Sequence, residues 1–271
     1  MKSLASQYSA ELGGSVSVLC RQKRDHVRLD ELLHRLQAAS PLEQGRVLRK
    51  IYRLVFPHAF AEEALLWPVI RAVLPDGDAL TLRVEQEHQE INELVTQLEL
   101  LHPGSPEHEQ VLADVVGLLR QDVRDEEDEL LPRLQSRLSA RQLRILGVAW
   151  EAVRWIAPTR AHPIVSRRPP GNVLSALPLA IVDRAHDLVD ALQYHSPGAV
   201  AGPLRALSSG LTAASHGIER LPGLRRGEDP VTRRGGGFLK GWGAFALTAF
   251  VAIPAAVVIA RRRRISAAAS G

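Results

Sequence analysis

His58 and Glu62 stand four residues apart, and so do Asp122 and Glu126. On an α-helix that spacing separates two side chains by about 40° around the axis and about 6 Å along it, so each pair can aim at one point. His26 and His88 hold matching places in the stretches before those pairs. His26, His58, Glu62, His88, Asp122 and Glu126 together offer three imidazoles and three carboxylates. Such a mixed shell suits iron or manganese, and carboxylates can bridge two ions inside a helical bundle. A lone His-x-x-x-Glu pair is an ordinary feature of a helix surface. Register within a repeat is what lifts these pairs above that.

The repeat is legible directly. "RQKRDHVRLDELLHRL" (21–36) lies over "RVEQEHQEINELVTQL" (83–98), pairing Asp25 with Glu87 and His26 with His88. "HAFAEEALLWP" (58–68) lies over "DVRDEEDELLP" (122–132), pairing Glu62-Glu63 with Glu126-Glu127 and Pro68 with Pro132. Apolar periodicity predicts helices over about 14–38, 41–73, 79–101, 107–134 and 139–157, with turns at Pro75–Asp78 and His102–Pro106. Ser40-Pro41 with Glu43, and Ser139 with Gln142, are start signals, and Pro57 and Pro68 are expected kinks. Two repeated hairpins imply an all-α, up-down four-helix bundle. Of the six acids in 122–132, Asp122 and Glu126 are expected to point inward. Asp125, Glu127, Asp128 and Glu129 are expected on a solvated rim.

At "DH" (25–26), "HAFAEEALLWP", "EHQEI" (87–91) and "EEDELLP" (126–132) the chain resembles the hemerythrin family, in its HHE cation-binding branch. The resemblance covers roughly 14–135. It implies a bundle holding a non-haem di-iron centre that binds oxygen, or senses or processes small oxidants such as peroxide or nitric oxide. Two positions depart from the family pattern. Asp122 stands where a fourth-helix His is expected, and Asn92 where oxygen carriers have a second third-helix His. A shell richer in carboxylate favours oxidised iron and disfavours reversible oxygen carriage. Without Asp122 as ligand, the site becomes a five-residue or single-metal one.

Composition bounds the rest. Of 271 residues, 45% are apolar and 4% aromatic, enough for a core and poor in strand formers. Residues 1–157 carry 19 Lys and Arg against 24 Asp and Glu; residues 158–271 carry 15 against 6. The basic rear lacks interleaved aromatics and any helix-turn-helix signature, so no nucleic-acid partner is expected. One cysteine, Cys20, excludes a disulfide framework and a cysteine zinc site; it is expected to be a buried, inert thiol. His34, His102, His108, His162, His186, His195 and His216 are expected at the surface, and Trp67, Trp150 and Trp155 in packing.

Three segments are expected: a metal-binding bundle (1–157), a Pro/Arg-rich linker with two helical stretches of unassigned role (158–238), and an anchor (239–271). The anchor rests on 241–260, twenty uncharged residues followed by Arg261 to Arg264, which predicts a single C-terminal transmembrane helix. With no leader visible, the bundle is expected on the cytoplasmic side of the membrane. The leading functional expectation is a membrane-anchored protein with two irons (manganese as the alternative metal) and a small diatomic or peroxide ligand. The rivals are a metal-free helical scaffold and a di-iron enzyme reducing peroxide or oxygen.

Overall fold

Serine hydroxyls open two of the helices of the repeat. In this computed structural model, which describes residues 1–195 and 201–232, Ser17 accepts from Leu19 N–H to open α1 (Val18–Ala38), and Ser105 from His108 N–H to open α5 (Pro106–Asp125). At the head of α2 (Pro41–Ala61) the Glu43 carboxylate accepts from the Ser40 N–H at 3.2 Å. Each of the two longer arms is interrupted by one wide turn. After α2 comes a π-helical turn, Glu62–Leu66, and then α3 (Trp67–Val73). After α5 comes a second, Glu126–Leu130, and then α6 (Leu131–Gln135). α4 (Gly77–Leu98) is the first helix of the second repeated hairpin, and α7 (Ala140–Ile156) lies across α1 and α2. A further hairpin, α8 (Gly171–His195) and α9 (Ala201–Glu219), follows.

The four arms bury two apolar clusters, one beyond each end of a polar layer. One holds Leu19, Leu65, Trp67, Val84, Leu131 and Trp150. The other holds Leu33, Ile51, Val95, Val115 and Leu119. α1 passes from Leu19 through Gln22, Asp25 and His26 to Leu29, all buried. α4 passes from Val84 through Glu85 and His88 to Ile91. Burial of each Leu or Val contributes roughly 1.5–3 kcal/mol, and the two clusters hold the polar layer between them.

α7 reaches the bundle because Gly147 lets it. A Cβ there would collide with the Val16 carbonyl oxygen and lie 2.8 Å from Val18 N, at the start of α1. The helix brings Trp150 edge-on to His58, ring centroids 5.3 Å apart.

Residues 157–170 run as a packed strap across the bundle. The N–H groups of Thr159 and Arg160 donate to Asp183 on α8 at 2.8 and 3.0 Å. Gln89 on α4 donates to the Pro163 carbonyl at 2.9 Å, and Arg168 pairs with Glu85 at 2.7 Å.

The expected transmembrane helix and membrane location are corrected here. Among the described residues no helix is long and apolar enough to cross a membrane; each of the helices above alternates an apolar face with charged positions. The run 241–260 on which that expectation rested lies outside the described residues. Trp155 is also not a packing residue: it is 74% exposed, because it falls on the face of α7 turned from the bundle.

Gly147→Ala tests the α1–α7 approach. It should destabilise the fold by about 1–3 kcal/mol, read as a lowered midpoint in urea with an unchanged slope. Gly117→Ala, where an added Cβ meets nothing within 4 Å, should be neutral or stabilising.

Candidate metal centre

The two π turns begin at Glu62 and Glu126, the acids of the two four-residue pairs. In each, an i→i−5 bond replaces the usual one: Trp67 N–H to Glu62 O, and Leu131 N–H to Glu126 O. The next residue is Pro68 or Pro132, which has no N–H to give. A π turn widens the helix and rotates the residues before it relative to those after it. Here both members of each acid pair gain an inward task.

All six expected site residues lie in the buried layer. His26 Nε2 sits 3.3 Å from His58 Nε2 and 3.2 Å from Glu126 Oε2. His58 Nε2 is 3.1 Å from Glu62 Oε1. Across the layer, His88 Nε2 is 3.4 Å from Asp122 Oδ1, 3.7 Å from Glu62 Oε2 and 4.0 Å from Glu126 Oε1. Two compact groups result, His26–His58–Glu126 and Glu62–His88–Glu126, with ligand atoms within 4.8 Å of one another in each. Glu126 is common to both. Asp122 stands beside the second group, through His88.

Five atoms there are buried with no hydrogen-bond partner: Glu62 Oε2, His88 Nε2, Asp122 Oδ1 and both Glu126 oxygens. Buried polar atoms are nearly always satisfied. Five orphans in one layer fit one or two cations, which would satisfy them together.

Behind the ring stands a second row. Each imidazole turns Nε2 inward and Nδ1 to a carboxylate: His26 to Glu127 at 2.9 Å, His58 to Asp25 at 3.2 Å, and His88 to Glu63 at 2.9 Å. Such partners fix the ring and its tautomer and strengthen it as a ligand. Gln22 donates to Glu62 Oε1 at 2.6 Å. Arg154 of α7 lies 3.2 Å from Asp25 and 4.7 Å above the Trp150 ring. Trp67 stacks on His88 at 6.3 Å.

Residues 21–134 match the family model of the hemerythrin HHE cation binding domain. This segment is similar to that domain. Over 133 residues the chain is 26% identical to a protein named DNA nickase from Nostoc sp. (strain PCC 7120), covering 49% of this chain and 37% of that protein. Over 173 residues it is 20% identical to an uncharacterized hemerythrin-like protein of Schizosaccharomyces pombe, covering 62% of this chain and 83% of the relative. No solved structure matches.

Around this layer and the elements packed on it, four expectations change. Glu127 is not on a rim but holds His26, because the π turn swings it inward. His108 is buried beside Glu109 at the start of α5. His162, expected at the surface, is buried in the strap, its ring between Glu219 at 2.8 Å and Asp183 at 3.1 Å. Cys20 is half-buried, its thiol 3.3 Å from Ser9 Oγ. Asn92, the departure from oxygen-carrier pattern, gives its side-chain oxygen to the His162 N–H at 2.9 Å. Sequence reasoning missed Asp25, Glu63 and Glu127 as supports. Their signal was present: each is adjacent in sequence to a ligand candidate and in register in the repeat.

Without metal, the buried layer holds protons. Burial alone would depress His26, but Glu126 and Glu127 lift it to about 10. Burial likewise opposes His58, and Glu62 and Asp25 carry it to about 9. With their Nε2 atoms 3.3 Å apart, the charge of His26 opposes that of His58. Burial, then the neighbouring Glu62 and Asp122 charges, push Glu126 up to about 8. Burial would raise Glu62 too, but the three histidines hold it below the ordinary range.

Two outcomes follow. Folded-state values raised above 6.5 for His26 and His58 stabilise the metal-free protein fully below that pH and lose the contribution as pH rises through about 9 and 10. Glu126, raised above 4.5, acts in the same direction up to about 8. The thermal midpoint of chelator-treated protein should therefore fall between pH 7 and 10, while metal affinity rises over that range because the ligands must shed protons. A flat midpoint would contradict the proton load. Glu63→Gln and Glu127→Gln should each weaken metal affinity roughly 10–100-fold, measured by competition with a chromogenic chelator.

Proposed function

We propose that the chain is a non-haem iron protein of hemerythrin type whose bundle holds two ions, iron by preference and manganese as an alternative. His26, His58, Glu62, His88, Asp122 and Glu126 would hold them, Glu126 being common to the two groups. The observation that carries this is the convergence of five orphaned buried atoms on two groups that share Glu126. Its role is to sense or process a small oxidant, oxygen, peroxide or nitric oxide, rather than to carry oxygen. The carboxylate content and the engagement of Asn92 with the strap support that choice.

Bound iron would supply electron exchange with the small oxidant. The chain's own residues do the rest. Asp25, Glu63 and Glu127 hold the three imidazoles with Nε2 inward, and the two apolar clusters exclude bulk water from both ends of the layer. Glu126, held near neutral titration by burial, can keep or give up a proton beside His26 as the charge of the layer changes. The nicking named for the Nostoc relative is not carried over, since the chain spans 37% of that protein.

Iron reconstitution of metal-free protein without oxygen should give close to two irons per chain. His58→Ala and Asp122→Ala should each lower iron content, and Asp122→His should retain it with a changed visible spectrum. Asp128→Ala, exposed on the same acidic run, should match wild type. No iron uptake, or an Asp128 variant that loses iron while the Asp122 variant keeps it, would overturn the reading.

A further inference from the structure

A groove of about 360 Å³ runs between α1 and α5, outside the metal layer but ending on it. That volume is in the range of small-molecule sites. Val27 and Val123 form its walls over a floor of buried Leu33 and Leu119, and the inner end is closed by His26 and Glu127. Val27 is 54% exposed there, an apolar side chain without a cover. From Lys23 to Leu33 the α1 side spans ten residues, about 15 Å of helix.

Two of its cations lie together on the α5 lip and a third at one end. Arg120 and Arg124 line the α5 lip, and Lys23 stands at the end beside Ala5. Among the described residues, their polar partners are neutral. Arg120 donates to Gln37 at 3.3 Å, Arg124 to Gln121 at 2.7 Å, and Lys23 to the Ala5 and Gln7 carbonyls at 2.6 and 2.7 Å. The acids that face the groove are engaged elsewhere. Asp30, on the α1 lip, lies 3.4 Å from His34, and Glu127 lies 2.9 Å from His26.

We propose that this groove binds a long-chain fatty-acid anion, with its carboxylate on Arg120 and Arg124 and its chain along Val27, Leu33, Leu119 and Val123. An apolar wall with cations on one lip matches a single anionic head on an apolar tail. A polyanion would leave the wall without use, and Asp30 on the opposite lip repels a second negative group. The tail reaches the outer face of the His26–Glu127 pair, so an occupied groove bears on the hydrogen bond that orients His26. Fatty-acid binding is then reported to the metal layer through one side chain. The binding itself does not depend on the metal reading; the report to iron does.

The full-length chain, metal-free and iron-loaded, is titrated calorimetrically with dodecanoate below its micellar concentration. One site per chain is expected in both forms, and dodecyltrimethylammonium should give none. The Arg120→Gln/Arg124→Gln double variant should bind at least about tenfold more weakly, from the loss of charge-assisted hydrogen bonds. Val27→Glu, a change at an exposed wall position, should also abolish binding while circular dichroism stays that of wild type. In the iron-loaded protein, dodecanoate should shift the visible spectrum, and the Arg120→Gln/Arg124→Gln variant should show no shift at the same dodecanoate concentration. No dodecanoate binding, several weak sites, equal binding of the cationic amphiphile, or wild-type affinity in the double variant would each overturn the groove. Binding without a spectral shift would overturn the link to His26. Absence of iron uptake alone would count against the metal site and leave the calorimetric result standing.

Discussion

Three imidazoles and three carboxylates share one layer between the two apolar clusters of the bundle, and the surrounding structure answers to this constraint. Removing even one ionised group from water costs several kcal/mol unless partners replace the hydration. The layer replaces it in two stages. The outer nitrogens of the imidazoles are satisfied by Asp25, Glu63 and Glu127. The inner atoms are left to one another, and five have no partner. A fold that satisfies the back of a ring and leaves its front open is arranged for a cation in front.

The two halves of the repeat depend on one another for this. Glu63 follows α2 and holds His88 of α4, while Glu127 follows α5 and holds His26 of α1. Each hairpin thus orients the histidine of the other. A single hairpin would leave its own first-helix imidazole without a support and its own second acid without a partner. The π turns make the exchange possible, since both acids of each pair must turn inward where a regular helix would set them about 100° apart.

The symmetry breaks where the elements outside the repeat arrive. Asp25 supports an imidazole, His58, and is itself reached by Arg154 of α7. Its counterpart Glu87 has the carboxylate Asp122 for a neighbour, and burial together with Asp122 and Asp125 raises it to about 7. On the His88 side, the strap brings Arg167 to 3.8 Å from Glu63 and seats His162 against Asn92. The same strap ties α8 and α9 to the bundle through Asp183 and Glu219. The basic rear of the chain is therefore in contact with the supports of the metal layer.

Much of this was legible before any coordinates. The four-residue spacing of His58 with Glu62 and Asp122 with Glu126, repeated in register, already placed six side chains in one layer, because helical periodicity is a local property. Serine caps and apolar stripes likewise placed the helices within a few residues. What no local rule could supply was the partner of each second acid. Glu127 looked like one more solvated charge, as Asp128 is, until the π turn aimed it across the bundle at His26. His162 carried no ligand spacing and looked exposed; it is buried because the strap folds back between α4, α8 and α9. Local spacing decided which residues could meet a metal. The long-range packing of helices far apart in the chain decided which residues hold them there, since a contact between Glu127 and His26 exists only once two hairpins have closed on each other.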